Sequence, residues 1–553
     1  MDDIAMPHRS EQRFLRNALV CDLVRDLSQA SRLTIYCGAG VTINRTNLSW
    51  AGMIRGSVSE LAAYIKKQNA TPPPNNDELS ALLEDLGTEA VASVLYGLAL
   101  NEKEKNWAEL QKQLSIALSK QLYGGVKWKD GYLARNVIRL ARLMATYGKP
   151  VSILTTNYDI LLEELWKDDF DNSGNEGGDS QGLDIFVPDQ RGKYVHEENP
   201  RKRKAATQGR VSLTYLHGRI PHGTAGGYTD SAIVLSELDY AKYRESIEKK
   251  LLESMKKDAA VLILGSSLRD LPLINSLIKM KNQGGPKFCL MPIESFQASM
   301  KVDHQGDRMI SLIQSRGKAL GINLRISDFK FQIAQCVEEI LLGLQARNAG
   351  VDYEDIRYGV RLVNWWNAWK NSRYAVEAAL LQKELANLLS DVRGLANLHH
   401  RNRDSSLYSP DEHLKIELWV RKDPEKYRGL ALWASSDIIR LDRKYPNSQK
   451  LERESRVASV VAFTEGRVLH QDVRQVSGDN IGGLIRRWNS YLSIPIHVGT
   501  NLQSRLPVAV VTIASSRHSS NSMLPGAGDD LMSKVIELVT GNACSWLGSS
   551  PAH

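Results

Sequence analysis

Leu33-Thr34-Ile35-Tyr36-Cys37-Gly38-Ala39-Gly40 is a short apolar run that ends in Gly-Ala-Gly. A strand that stops at closely spaced glycines lets backbone N–H groups approach an anionic ligand such as a pyrophosphate. Alone the signal is weak. A dinucleotide fingerprint would place a third glycine at residue 43, where Ile43 stands, and no Gly-Lys-Ser or Gly-Lys-Thr of a Walker loop occurs. Upstream, Phe14, Leu15, Ala18, Leu19, Leu23 and Leu27 recur at helical spacing. Downstream, residues 78–147 are rich in Leu, Ala, Glu and Lys, which predicts several packed helices.

Three later segments repeat the pattern of an apolar strand closed by glycine or a ligand-capable side chain. Val151–Leu154 leads into Thr155-Thr156-Asn157-Tyr158-Asp159, Leu213–Leu216 into His217-Gly218, and Val261–Leu264 into Gly265-Ser266-Ser267-Leu268. Strand-like runs at Val211–Leu216, Ala232–Leu235, Val261–Leu264 and Lys287–Met291 are separated by helical segments such as Tyr240–Lys257 and Pro272–Lys281. Nearly continuous apolar strands alternating with helices predict an α/β domain, a parallel sheet covered on both faces. The loops at its strand ends are where such sheets meet ligands. Singly, each segment has a plain reading, Asn157 and Asp159 as helix caps and His217 as a satisfied core histidine. Four in one order argue for a shared crevice.

The chain has 553 residues, enough for two to four domains of ordinary globular composition. Its formal charge of +8 is small and spread out. It permits weak attraction to nucleic acid or anionic lipid without arguing for either. The five cysteines (Cys21, Cys37, Cys289, Cys336, Cys544) contain no CxxC pair, which speaks against a zinc knuckle, and no metal is expected. This sparse, odd set fits a reducing compartment. With a polar stretch at Met1–Phe14 and no run of 18 apolar residues, it leads us to expect a cytoplasmic protein without a membrane span. The acidic stretch Asp168–Gly182 lacks the ligand spacing of a calcium loop and reads as a solvated insertion, as does the basic run Arg201–Lys204.

The order of the four strand-end motifs resembles the sirtuin family over roughly residues 20–345. That resemblance implies a nucleotide-binding core in which Gly38, Ala39 and Gly40 hold the NAD pyrophosphate. Thr156 and Asn157, with Asp159, would line the nicotinamide-ribose pocket, and Gly265 and Ser266 would contact the adenosine side. By the same resemblance His217 is the catalytic base, with Asn157 and Asp159 beside it. Two departures separate the chain from protein deacylases. No cysteine lies between His217 and Gly265 to form their zinc module, and Asn47-Leu48-Ser49-Trp50 stands near where they carry Pro-Asp-Phe-Arg. In this the chain looks like the sirtuin-like NAD hydrolases of prokaryotic antiphage defence.

Beyond residue 345 the pattern changes. Leu362, Trp365, Trp366 and Trp369 fall in a helical stretch and read as a core or subunit interface rather than a ligand cage. A leucine-rich helix, Tyr374–Leu398, would bridge domains or pair with its own copy. From Leu414, alternation at Leu414, Ile416, Leu418 and Val420 marks an antiparallel strand, and further strands are expected at Gly429–Ala434, Ala458–Phe463, Leu492–Val498 and Val508–Ala514. A final helix carries Leu531, Val535, Leu538 and Val539. This is a separate α+β unit. Phe463–Val468, Ser490–Ile496 and Leu506–Ile513 give it a resemblance to GAF domains, which implies a sensor but no ligand identity. The only cysteine there is Cys544, in the terminal helix, which speaks against a bilin.

Together these readings predict a sirtuin-like catalytic domain (1–348), a helical linker (349–409) and a GAF-like regulatory domain (410–549). The expected activity is hydrolysis of NAD to nicotinamide and ADP-ribose. It would serve as an antiviral, abortive-infection effector that forms a homo-oligomer and answers to a phage-derived or protein trigger. The alternatives are an ADP-ribosyl transferase or deacylase, and a non-catalytic nucleotide-sensing scaffold.

Overall fold

The computed structural model describes residues 17–43, 48–68, 72–99, 107–124, 132–171, 182–196, 209–222, 231–256, 258–292, 306–327, 332–402, 411–425, 429–437, 448–451, 455, 457–472, 488–499, 506–526 and 530–548. Phe14, Leu15, Asn47, most of the acidic stretch and the basic run at 201–204 lie outside the described residues. Two compact units emerge: Leu23–Ile326, and Met1–Asp22 together with Ser327–His553.

The first unit is built on an eight-stranded sheet in the order β4-β3-β5-β2-β1-β6-β7-β8. Its strands are β1 (Arg32–Cys37), β2 (Val151–Thr155), β3 (Leu183–Pro188), β4 (Tyr194–His196), β5 (Val211–Tyr215), β6 (Ala259–Leu264), β7 (Lys287–Pro292) and β8 (Asn323–Ser327). The six strands from β3 to β7 run parallel, and β4 pairs antiparallel with β3. Helix α1 (Asn17–Gln29) precedes β1, and a single 3-10 turn, Ala39–Val41, follows it. Four helices then form a cluster of their own: α2 (Trp50–Gln68), α3 (Asn76–Asp85), α4 (Thr88–Ala99) and α5 (Trp107–Tyr123). α6 (Tyr132–Thr146) returns to the sheet and presents Val137, Ile138, Leu140, Ala141 and Met144, all fully buried. α7 (Leu161–Asp171), α8 (Glu237–Ser254), α9 (Leu271–Lys279) and α10 (Gly306–Leu320) complete the unit.

The sheet is covered on both faces, which explains its unbroken apolar strands. Tyr36, Leu154, Val261, Ile263 and Cys289 share one core with residues of α8, α9 and α10. Residues one step along each strand, such as Ile35, Ile153 and Leu262, are equally buried and face the other way. Ala232–Leu235 is a correction to the expected strand. The segment is buried but joins no ladder, holding on through Ala232 N–H to Pro188 O (2.9 Å) and Val234 N–H to His217 O (2.9 Å).

In the second unit α11 (Gln332–Asn348), α12 (Tyr353–Ile356), α13 (Tyr358–Trp369), α14 (Arg373–Val376) and α15 (Ala378–Asn402) precede a six-stranded antiparallel sheet. Its strands are β9 (Leu414–Arg421), β10 (Gly429–Ser435), β11 (Ser448–Lys450), β12 (Leu469–Asp472), β13 (Ser490–Val498) and β14 (Leu506–Ser515), ordered β11-β10-β9-β14-β13-β12. The segment expected as a strand at Ala458–Phe463 is instead a helix, α16 (Ala458–Glu465). Its valines favour a strand reading. It is, however, buried all round, with Ala458, Ser459, Val460, Ala462, Phe463 and Thr464 all inside, so no polar face exposes its 3.6-residue period. Gly466, at φ +67°, ends it.

The tryptophan cluster lies inside this unit. Trp365 and Trp369 stack with ring centroids 5.5 Å apart, and Trp433 meets Trp369 at 5.0 Å. Their indole N–H groups donate to Leu547 O (2.8 Å) and Trp546 O (2.9 Å), carbonyls at the end of the last helix, α17 (Asp530–Leu547). Carbonyls there have no partner within the helix, so the cluster caps α17 as well as packing on it. The leucine-rich helix α15 buries Leu381, Leu385, Leu388 and Val392 and packs on β9, β10 and α17. Among the described residues no helix is long and apolar enough to cross a membrane.

Candidate functional site

Strand register decides the site. Cys37 lies opposite both Thr155 and Leu264, and Thr155 lies opposite Tyr215. The C-terminal ends of β5, β2, β1 and β6 therefore stop in one row, and the four motif loops leave the sheet side by side. β1 is the first strand in sequence and sits between β2 and β6, so the chain order departs to both sides of it. Ligand crevices form at such a switch point. Backbone bonds extend the row one step: Gly38 N–H donates to Leu264 O (2.9 Å), Thr156 N–H to Cys37 O (3.1 Å) and Leu216 N–H to Thr155 O (2.7 Å).

The Gly38–Gly40 loop and the Gly265 loop interlock. Gly40 N–H donates to Gly265 O (2.9 Å), and a Cβ on Gly40 would lie 2.8 Å from Gly265 Cα. Gly265 itself sits at φ +63°, where a Cβ would come within 2.5 Å of Val41 N. These glycines are needed for two backbones to touch. Since the Gly38 and Gly40 amides are both engaged within the protein, Ala39 is the one residue of the three whose N–H stays outside these bonds. Ser266 Oγ accepts from Leu268 N–H (3.1 Å), closing the turn into α9.

A small, open crevice lies beside this row. Ala39, Thr42, Trp50, Thr156, Asn157 and Asp159 are on its wall. Asn157 Nδ2 donates to Thr42 Oγ1 (3.0 Å), which donates to Asp159 Oδ2 (2.9 Å). Asp159 Oδ1 accepts from Leu161 N–H (3.2 Å) at the start of α7. Its carboxylate is thus tied to the scaffold, whereas Asn157 Oδ1 is buried without a partner among the described residues. Asn157 is 7% exposed, and no described residue gives this acceptor a donor. Cys37, buried nearby, has its thiol pushed far up by burial and by Asp159, which removes it as a nucleophile.

His217 is not on the wall of this crevice. Trp50, which is, meets its ring edge-on at 6.2 Å and Tyr158 at 5.7 Å. The imidazole is 1% exposed, and its Nε2 lies 3.7 Å from Asp270 Oδ2, which accepts from Tyr36 OH (2.8 Å). Burial lowers the His217 pKa, while Asp270 and Glu89 pull the other way. Tyr36 and Tyr240 have hydroxyls pushed well up by burial and then by Asp270, so both stay protonated donors. Tyr240 OH stands 3.4 Å from each ring nitrogen. Behind the loops, Arg219 clamps both oxygens of buried Glu163 (2.7 and 2.8 Å), which also accepts from Tyr215 OH (2.6 Å).

The fold thus places Ala39, Thr156, Asn157 and Asp159 on one wall. Gly38, Gly40, Gly265, Ser266 and His217 stand in the neighbouring loops of the same row. Sequence reading missed Asp270, Tyr36, Tyr240 and the Glu163–Arg219 pair. Asp270-Leu271-Pro272 carries a helix-start signal, but nothing local marks its carboxylate as a partner of His217. Among the described residues no group of three or more His, Cys, Asp or Glu is placed to hold a metal ion.

A family model described as a SIR2-like domain matches residues 151–301, the stretch from β2 past β7 that carries three of the four motif loops. No curated protein matches the chain. Among solved structures, one described as "Structural Basis for the Mechanism and Regulation of Sir2 Enzymes" is 12% identical and covers 60% of this chain and 98% of its own, with a TM-score of 0.26. The structure of fRMsr of Staphylococcus aureus in its reduced form is 14% identical and covers 30% of this chain and 94% of its own, with a TM-score of 0.18. On the family match, the chain contains a SIR2-like domain, set in a parallel-sheet α/β unit and followed by a separate antiparallel sheet.

Proposed function

We propose that this protein is an NAD glycohydrolase. The observation that carries the reading is the buried Oδ1 of Asn157 on the crevice wall, without a partner among the described residues, with His217 in the next loop of the same row. Cleaving the bond between nicotinamide and ribose passes through an oxocarbenium-like state, which needs positioning and charge stabilisation more than a strong nucleophile. Asn157 Oδ1 holds a ribose hydroxyl or the attacking water. The C1′–N bond breaks with its electron pair going to nicotinamide, a water oxygen bonds to C1′, and the proton it sheds passes to the His217 imidazole. Ala39 and Thr156 face the phosphate-bearing part, Gly38, Gly40, Gly265 and Ser266 shape the neighbouring loops, and Asp159 braces Thr42.

Residues 1–348 act as the catalytic part and 410–549 as a GAF-like regulator joined through 349–409. A chain that destroys NAD harms its own cell, so we assign it to abortive antiviral defence, silent until a phage-derived or protein trigger engages the regulator. Water is the acceptor because no cysteine module stands between His217 and Gly265. The test is to incubate the purified full chain with NAD, with and without lysate of phage-infected cells. Free nicotinamide plus ADP-ribose is expected. Modified protein would instead mark a transferase or deacylase, and bound intact NAD a nucleotide-sensing scaffold.

A further inference from the structure

A protonated imidazole in the place His217 occupies would be a buried charge, and such charges persist only when they are paired. Several elements surround it. Tyr240 of α8 and Trp50 meet its ring edge-on, Glu89 in the first turn of α4 acts on it through its charge, and Asp270 is backed by Tyr36 of β1. Among the described residues, Asp270 brings the formal negative charge nearest, 3.7 Å from Nε2. It is also locked. Oδ2 accepts from Tyr36 OH at 2.8 Å, and Oδ1 accepts from Leu273 N–H at 3.3 Å as the N-cap of α9.

The geometry points to Asp270 as the positioning residue of His217. Held by Tyr36 and by the first turn of α9, its carboxylate keeps Nε2 as the proton-bearing nitrogen. Nδ1, 3.4 Å from Tyr240 OH, then carries the lone pair that takes the proton, and the imidazolium that forms meets a fixed counter-charge. At 3.7 Å the pair is longer than a hydrogen bond, so Asp270 acts through its field and the ring orientation that it favours. The carboxylate needs no contact with substrate for this.

The inference rests on reading His217 as the base, and its test separates the two. Asp270→Asn keeps an Oδ1 acceptor for Leu273 N–H, removes the charge and sets an NH2 where Oδ2 accepted from Tyr36 OH. Tyr36→Phe leaves the cap intact and frees the carboxylate. Nitrogen-15 spectra of histidine-labelled full chain, assigned with His217→Gln, report the tautomer of His217 directly. The wild type is expected to show the Nε2–H form, and Asp270→Asn a mixture. In NAD turnover, loss of the carboxylate weakens the base, so kcat should fall about 10- to 100-fold. The acidic limb of the kcat/KM profile should move to lower pH, because the imidazolium loses its stabiliser. A capping role alone would lower activity without moving that limb. An unchanged tautomer in folded Asp270→Asn overturns the inference. If that variant fails to fold, Tyr36→Phe decides it: a carboxylate released from its donor should let the Nδ1–H form appear beside the Nε2–H form, and an unchanged tautomer there overturns the inference. Should the wild type cleave no NAD, the hydrolase reading falls and the tautomer comparison still decides the role of Asp270.

Discussion

Replacing Gly265 with alanine tests the interlock that holds the two site loops together. Gly265 sits at φ +63°, a conformation that costs an L-residue about 1–2 kcal/mol. Its new Cβ would stand 2.5 Å from Val41 N and 2.8 Å from Gly40 C, both backbone atoms that no rotamer change can move away. Relieving such an overlap by shifting backbone costs about 1–3 kcal/mol. The shift would also break the bond from Gly40 N–H to Gly265 O, worth about 1 kcal/mol net. The sum is about 3–6 kcal/mol, a large share of the roughly 5–15 kcal/mol that holds a domain together. Thermal unfolding followed by circular dichroism should show a midpoint lower by roughly 6 °C or more. NAD turnover should be lost, because the Ala39 amide moves with the loop. Gly394→Ala is the control. It lies exposed inside α15 with nothing within 4 Å, so alanine there should stabilise by about 0.5–1 kcal/mol. A Gly265→Ala chain that melts within a degree or two of wild type would refute the close approach.

Asn157→Ala and His217→Ala should each lower NAD turnover by about two to four decades while the chain still folds, and retained turnover in either purified variant removes that residue from the mechanism. Trp369→Ala should cost about 3–5 kcal/mol, because a fully buried ring and its bond to Trp546 O are lost together. Sedimentation should give this variant the same mass as wild type, since the cluster packs within one chain; a change of mass would contradict that packing. Burial holds the pKa of both His217 and His470 below the ordinary value. Their contribution to stability is therefore complete above the unfolded value of about 6.5 and drains away as pH falls through it, because the unfolded chain takes up protons that the folded one refuses. The unfolding midpoint should drop from pH 7.5 to 5.5, less steeply in His470→Gln, and a flat profile in the wild type would count against both burials.

Much of the first unit could be read from short stretches of sequence. Continuous apolar runs at β1, β2, β5 and β6 report burial on both faces, and a strand that ends in glycine or a polar residue is a local pattern. Asn157, Asp159 and His217 were visible because each directly follows such a run. Two errors came from the same locality. α16 is buried all round and so hides its period, and Ala232–Leu235 is apolar enough for a strand yet sits where no ladder reaches it.

Only tertiary structure could say what those residues do to one another. Cys37, Thr155, Tyr215 and Leu264 end in one row because of parallel register, which depends on pairings up to hundreds of residues apart. The same register carries Asp270 to His217 across 53 positions and Tyr36 to Asp270 across 234, distances at which no periodicity or spacing survives. It also shows the glycines of the first loop pressed against Gly265, their amides already engaged, where sequence suggested amides turned toward a pyrophosphate. Chain-local chemistry marks which side chains can react. The environment that sets a tautomer, a pKa or an unpaired acceptor is made by packing, and packing is a property of the whole fold.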